Sequence, residues 1–292
     1  DDMVSRGLGD VYKRQGFISG VPYGVLMDPL NYWLSEEGIE KSTIGLLSLV
    51  FLIYSLKVFW APLVDRLKIP GLYSLGQRKS WLFLSQFVTG LIILSISFVE
   101  PKESLNIFVY LILAIGFFSA TQDICADALR IELVEKRELG EASAVFVIGW
   151  RIGAILLSGV ATFYLAEFFG WNFAYQMVGI IVIFLSFIFL ILIKEPTREI
   201  RPPKDFFKEP LGWFEDSFLA PLKDLYLRYK NHLLLLLLLI FTYRLSDMFL
   251  GPMAMPFYRE TGFTKIEVAE ITNFYGLIMT CLLYTSDAAD EV

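Results

Sequence analysis

Histidine and cysteine are nearly absent: the 292 residues contain one His and two Cys. That leaves no material for a zinc cluster, a disulfide framework or a Cys/His nucleophile pair. No G-x-x-x-x-G-K-[ST] phosphate loop occurs, which argues against an ATP-driven pump, and no cofactor or metal is expected. Charge is scarce as well, at 19% of residues, and the net charge of −6 says little where apolar residues dominate. What is abundant is grease: 55% hydrophobic and 16% aromatic residues, a mean hydropathy of +0.57, and apolar blocks of about 20 residues. The expected fold is an all-α polytopic membrane protein, with the lipid bilayer as its surroundings and no nucleic-acid partner.

The two ends differ from the rest. Residues 5–15 (SRGLGDVYKRQ) and 281–291 (CLLYTSDAADE) back-translate to one transposon-end sequencing adapter in opposite orientations. Segments 1–15 and 281–292 are therefore set aside as non-native ends, with 16–280 expected to be an internal fragment that genomic coding sequence continues on both sides. Within it, helices are expected at about 16–34, 43–64, 80–99, 106–134, 142–167 and 171–193, forming a six-helix bundle over 16–193. A polar segment, 194–231, carries Pro196, Pro202, Pro203, Pro210 and Pro221 and an amphipathic patch; it reads as a cytoplasmic linker lying on the membrane surface. The start of a second bundle, 232–280, holds a seventh helix to about Tyr258 and an eighth from Thr264, where Thr264 and Glu267 fit a capping box.

Lys and Arg counts in alternate loops orient the chain. One set of loops (66–79, 130–137, 194–230) holds 4, 3 and 8 basic residues; the other holds 1, 1, 0 and 2. The richer set is cytoplasmic, which puts the N-terminus inside. Glu36, Gly38 and Lys41 recur as Glu260, Gly262 and Lys265 at a constant offset of 224 residues, the mark of two parallel repeats joined by the linker.

The fourth helix carries the chemistry. In IGFFSATQDICADALR, residues Ser119, Asp123, Asp127 and Arg130 fall within roughly 80° of arc, a polar stripe on a helix otherwise apolar. An ionised side chain near the bilayer centre costs about 3 kcal/mol, so such residues persist mainly where they pair or line a pathway. By a rise of about 1.5 Å per residue, Lys57, Asp127, Arg151 and Asp123 share a layer roughly 10–16 Å above the cytoplasmic helix ends. Lys57 and Arg151 are thus expected to neutralise Asp123 and Asp127, while Arg244 and Asp247 form a second pair on the seventh helix. With Asp28 on the first helix, seven intramembrane charges fit a water-filled pathway better than a dry core. Cys125 is expected to be a small buried residue, His232 interfacial, and Trp33, Trp60, Trp81 and Trp171 belt residues at helix ends. Small residues Gly149, Gly153, Ser158 and Gly159 on the fifth helix permit close helix contact.

The turn APLVDR(x)9GQRKSW resembles the signature loop between the second and third helices of the major facilitator superfamily, lengthened by an insertion. TIGLLSLVFLIYSLKVFWAPLVDR, SATQDICADALRIELV, GWRIGAILLSG and YRLSDMFLGPMAMPFYRETGFTK further resemble the AmpG-type muropeptide permeases, with Lys57, Gln122, Asp123, Asp127, Arg151, Arg244 and Asp247 as the specific positions. Asp28 departs from that pattern. The resemblance implies a major facilitator fold, here the first six-helix bundle plus two helices of the second. It also implies a monomeric bacterial inner-membrane carrier, not an enzyme, that imports glycopeptide fragments of peptidoglycan with a proton gradient as energy source. A related carrier of another organic anion, such as acetyl-CoA, shares these motifs and stays open. Asp65, Arg66, Gly76, Arg78 and Lys79 of the signature loop are expected to act as a cytoplasmic gate.

Overall fold

The structure, a computed structural model, describes residues 2–133, 139–192, 212, 215 and 219–279. Among them there is no strand. Five helical stretches are long and apolar enough to cross a membrane, Lys41–Phe59, Gln77–Ile96, Leu105–Glu132, Ala142–Phe169 and Trp171–Ile191. A sixth is reached if Lys223–Tyr229 and Leu233–Tyr243, bent by 103°, count as one.

Numbered in chain order, the first span precedes those five stretches and is two helices, α1 (Asp2–Leu26) and α2 (Asp28–Glu36), and so begins well before Gly16. It breaks at Met27 (ψ −113°) because Pro29 has no N–H to give and its ring would strike the carbonyl of Val25 in a continuous helix; Pro is tolerated in the first turn of α2. The Asn31 amide donates to the Met27 carbonyl at 2.9 Å and covers part of the gap. The sequence reading had Asp28 inside a helix; the structure puts it at a helix start.

The second span is also interrupted. It comprises α3 (Lys41–Leu47), α4 (Val50–Leu56), a tight 3-10 turn at Lys57–Phe59 and α5 (Ala61–Arg66). Pro62, in the first turn of α5, removes a further backbone donor, and the ladder is lost beside Lys57. The third and fourth spans, α6 (Gln77–Ile96) and α7 (Leu105–Leu133), are single helices. The fifth runs as α8 (Leu139–Arg151), a π-helical stretch Ile152–Ala161 and α9 (Thr162–Phe169); the sixth is α10 (Trp171–Leu192). After α11 (Ala220–Tyr229), the seventh span is α12 (Leu233–Glu260) and the eighth starts as α13 (Lys265–Val268), continuing as a π stretch, Ala269–Tyr275. The Thr264–Glu267 capping box is present.

The first and fifth spans lie backbone to backbone. A Cβ on Gly149 would stand 2.0 Å from the Lys13 carbonyl oxygen, and one on Gly153 2.0 Å from that of Phe17. Only glycine admits this approach, which the small residues of the fifth helix foretold. Ser158 adds a bond from its hydroxyl to the Val21 carbonyl at 2.7 Å. The outer core is aromatic: Trp33, 1% exposed, packs on Phe108, Trp171 and Tyr175 with centroids 5.3, 5.9 and 4.9 Å away. Trp33 and Trp171 are therefore core residues, since neighbouring spans cover their rings, and not belt residues. Cys125 is fully buried, as expected.

Candidate functional site: a lysine shared by two aspartates

The charge cluster forms where the second and fourth spans meet. Lys57, freed from regular helix at the 3-10 turn, hydrogen-bonds Asp123 and reaches Asp127 Oδ2 at 3.2 Å. One ammonium thus serves two carboxylates. Asp127 also accepts from Arg130 Nη2 at 2.9 Å, an i,i+3 contact along α7. These side chains keep 18–38% of their surface exposed, so the cluster is not sealed in the core. A turn outward, the Tyr54 hydroxyl donates to Ser119 Oγ at 2.7 Å; the Trp60 indole donates to Thr121 Oγ1 at 3.0 Å.

Several expected members stand elsewhere. Arg151 is half-buried and forms no ion pair among the described residues; the second cation of Asp127 is Arg130. Matching depth did not bring Arg151 to the acids because its direction around the fifth span is set by glycine contacts that press that helix on the first. Gln122 is 1% exposed, turned into the bundle away from the stripe, with no hydrogen bond to its side chain among the described residues. Asp28, at the start of α2, is half-buried and makes no ion pair among the described residues. Arg244 and Asp247 lie on α12, and their side chains are outside the described residues.

At the cytoplasmic end, Arg78 is only 3% exposed and spans two helix ends: Nη1 bonds Asp65, and Nη2 meets Glu132 Oε1 at 3.1 Å. Gln77 donates to the Val64 and Leu67 carbonyls at 3.0 and 2.7 Å, and the Trp81 indole donates to Leu67 at 2.8 Å. Gly76, at φ +110°, starts α6, a backbone angle that L side chains resist; Lys79 follows in its first turn. The Arg66 side chain is outside the described residues. Glu132 was missed by sequence reasoning; its signal was a lone acid two residues past Arg130, at a helix end facing a basic loop.

The outer ends of the two halves are tied by the repeated residues themselves. Lys41 Nζ meets Glu260 Oε2 at 2.6 Å, and Lys265 Nζ meets Glu36 Oε2 at 3.1 Å. Each lysine pairs with the other half's glutamate, the reciprocity of a two-fold interface. The turns match: Gly38 (φ +78°) and Ile39 donate to Ser35 and Leu34, as Gly262 (φ +95°) and Phe263 donate to Arg259 and Tyr258. Lys265 is 13% exposed, near Glu167 at 3.8 Å and over the Trp171 ring at 5.4 Å, while the Trp171 indole donates to Glu36. The Tyr32 hydroxyl donates to the Phe263 carbonyl at 2.9 Å.

Comparison with known proteins agrees with this arrangement. The profile of the Major Facilitator Superfamily matches residues 15–287. "Putative transporter AmpG 4" of Rickettsia felis is 40% identical over 266 residues, 91% of this chain and 63% of that protein. "Anhydromuropeptide permease" of Escherichia coli is 34% identical over 266 residues, 91% of this chain and 51% of that protein. The chain therefore spans between about half and two thirds of the length of these relatives. Among solved structures, a bacterial homolog to the human lysosomal transporter Spinster, in an inward-facing and unoccupied conformation, superposes with a TM-score of 0.55 at 16% identity. That match covers 93% of this chain and 58% of the other, a likeness of fold.

Proposed function

We propose, for a chain that belongs to the Major Facilitator Superfamily and is a multi-pass transporter of the membrane, proton-coupled import of anhydro-muropeptides by alternating access. The observation that carries this reading is Lys57 shared between Asp123 and Asp127 in a partly open cluster. A substrate carboxylate reaching the cluster competes for the ammonium. The aspartate it displaces is left without its counter-ion in a poorly solvated place and takes up a proton, so substrate and proton load together. Arg130 keeps hold of Asp127, which makes Asp123 the acid to be released. Arg151, without an ion pair among the described residues, is a second host for anionic groups of the substrate, and Asp28 a further proton carrier.

The outer reciprocal pairs support an arrangement closed to the outside, with the cluster reached from the cytoplasm. Opening outward separates Lys41 from Glu260 and Lys265 from Glu36, while the Arg78 network holds the inner ends of the second, third and fourth spans. Arg244, Asp247, Asp65, Arg66, Gly76, Arg78 and Lys79 keep their roles in pathway and gate within this proposal. We place the protein as a monomer in the bacterial inner membrane with its N-terminus in the cytoplasm. Uptake of labelled anhydro-muropeptide into proteoliposomes tests the reading. It should need an inward proton gradient and collapse with an uncoupler; uptake indifferent to the gradient would sink proton coupling.

A further inference from the structure

A group of rings above the charge cluster has no part in the charge chemistry. Tyr23 of the first span stands at its centre, 5.1 Å from Phe51, 5.2 Å from Tyr54 and 5.2 Å from Trp150, centroid to centroid. Three spans contribute, the first, second and fifth. Tyr54 precedes Lys57 by three residues and bonds Ser119, four before Asp123, so the rings stand one helical turn, about 5 Å, outward of the ion cluster. Phe51 is buried, and Tyr23, Tyr54 and Trp150 are partly buried, packed against the core.

The second half of the molecule lies against the same three spans. The seventh packs on α2 and α3, and the π stretch of the eighth packs on that of the fifth. Met253 comes within 3.7 Å of a Cβ built on Gly45, and the Asn273 side chain within 3.2 Å of one built on Gly159. The ring group lies inward of these contacts along the same spans. The repeat offset adds a second observation: 224 residues beyond Tyr23 and Gly20 lie Asp247 and Arg244.

We propose that Tyr23, Tyr54 and Trp150 form a wall that receives the apolar face of a sugar ring in the carried molecule, while Lys57 holds a carboxylate a few bonds away. The assignment rests on the reading of function above. A pyranose offers a C–H face with a polar rim, and the negative face of an aromatic ring matches the C–H side. An apolar wall with a few convergent polar groups is the usual build of a small-molecule site, here with Lys57 one turn below. A plain peptide or aliphatic acid would need the lysine and not the wall.

Binding calorimetry on the purified chain in nanodiscs tests this with three probes: an anhydro-disaccharide tripeptide, the same disaccharide alone and the free tripeptide. Trp150→Ala should weaken the two sugar probes about tenfold, the size of one lost ring contact, and leave the tripeptide unchanged. Trp150→Phe should restore most of the loss. If Trp150→Ala does not fold, Trp150→Leu keeps the apolar bulk while removing the ring face and should show the same selective loss. Equal weakening of all three probes, or none, would show the rings to be core packing and overturn the wall alone. A wild-type chain that binds neither sugar probe would overturn the functional reading and the wall with it.

Discussion

The two outer ion pairs are equivalent by repeat and unequal by environment, and their removal should have unequal effects. Lys41 and Glu260 leave 59% and 49% of their side chains in solvent, so their pair stabilises the closed outer end by about 0.2–1 kcal/mol. Lys265 is 13% exposed, with Glu36 and the Trp171 face around it. Its removal strips a partly buried carboxylate of its cation, which costs about 1.5–3 kcal/mol. Since 1.4 kcal/mol is tenfold, Lys265→Ala should raise outward opening roughly 10- to 100-fold and Lys41→Ala about fivefold at most. Gly45, facing Met253 across the two halves, supplies a reporter. Labelling of Gly45→Cys from outside by a membrane-impermeant maleimide follows the open population. The double swap Glu36→Lys with Lys265→Glu should bring labelling back toward that of the parent. Labelling in Lys265→Ala no faster than in Lys41→Ala would refute the reasoning.

Gly153→Ala should push the first and fifth spans apart and lower thermal stability sharply, whereas Gly140→Ala, with nothing within 4 Å of its Cβ, should not; paired melting curves decide it. Arg78→Ala removes the cation that Asp65 and Glu132 share and should lower thermal stability, while Asp65→Asn, which spares the Glu132 contact, should slow transport with substrate affinity nearly unchanged; a change confined to affinity would contradict the gate. In a double-mutant cycle, Asp127→Asn should couple to Arg130→Gln and not to Arg151→Gln, because of these two arginines it is Arg130 that touches Asp127; the reverse pattern would return Arg151 to the cluster.

The spans were legible because apolar blocks and loop charge are properties of composition along the chain. Expected and observed ends of the third, fourth and sixth spans agree within a few residues. Lys57, Asp123 and Asp127 were also legible, since unpaired charge in lipid is costly and only a few residues could answer one another. Direction around a helix axis was not. A rise per residue gives the depth of Arg151, but its bearing depends on glycines whose partners are backbone atoms of another span. Arg130 prevailed because an i,i+3 contact needs no second helix to arrive. The Met27 break had its signal in Asp28–Pro29, passed over because the apolar run continues through it. At the outer turns, the 224-residue offset announced equivalence, whereas contact between equivalents follows only from a two-fold axis, which one sequence does not display.

Freeing Asp123 from Lys57 should bind a proton as substrate binds. The direct measurement is proton exchange with a weakly buffered solution when anhydro-muropeptide is added to the purified protein, for wild type and for Asp123→Asn. Wild type should take up protons on binding, and Asp123→Asn should bind without uptake. Substrate binding by wild type with no proton taken up, or uptake undiminished in Asp123→Asn, would contradict it.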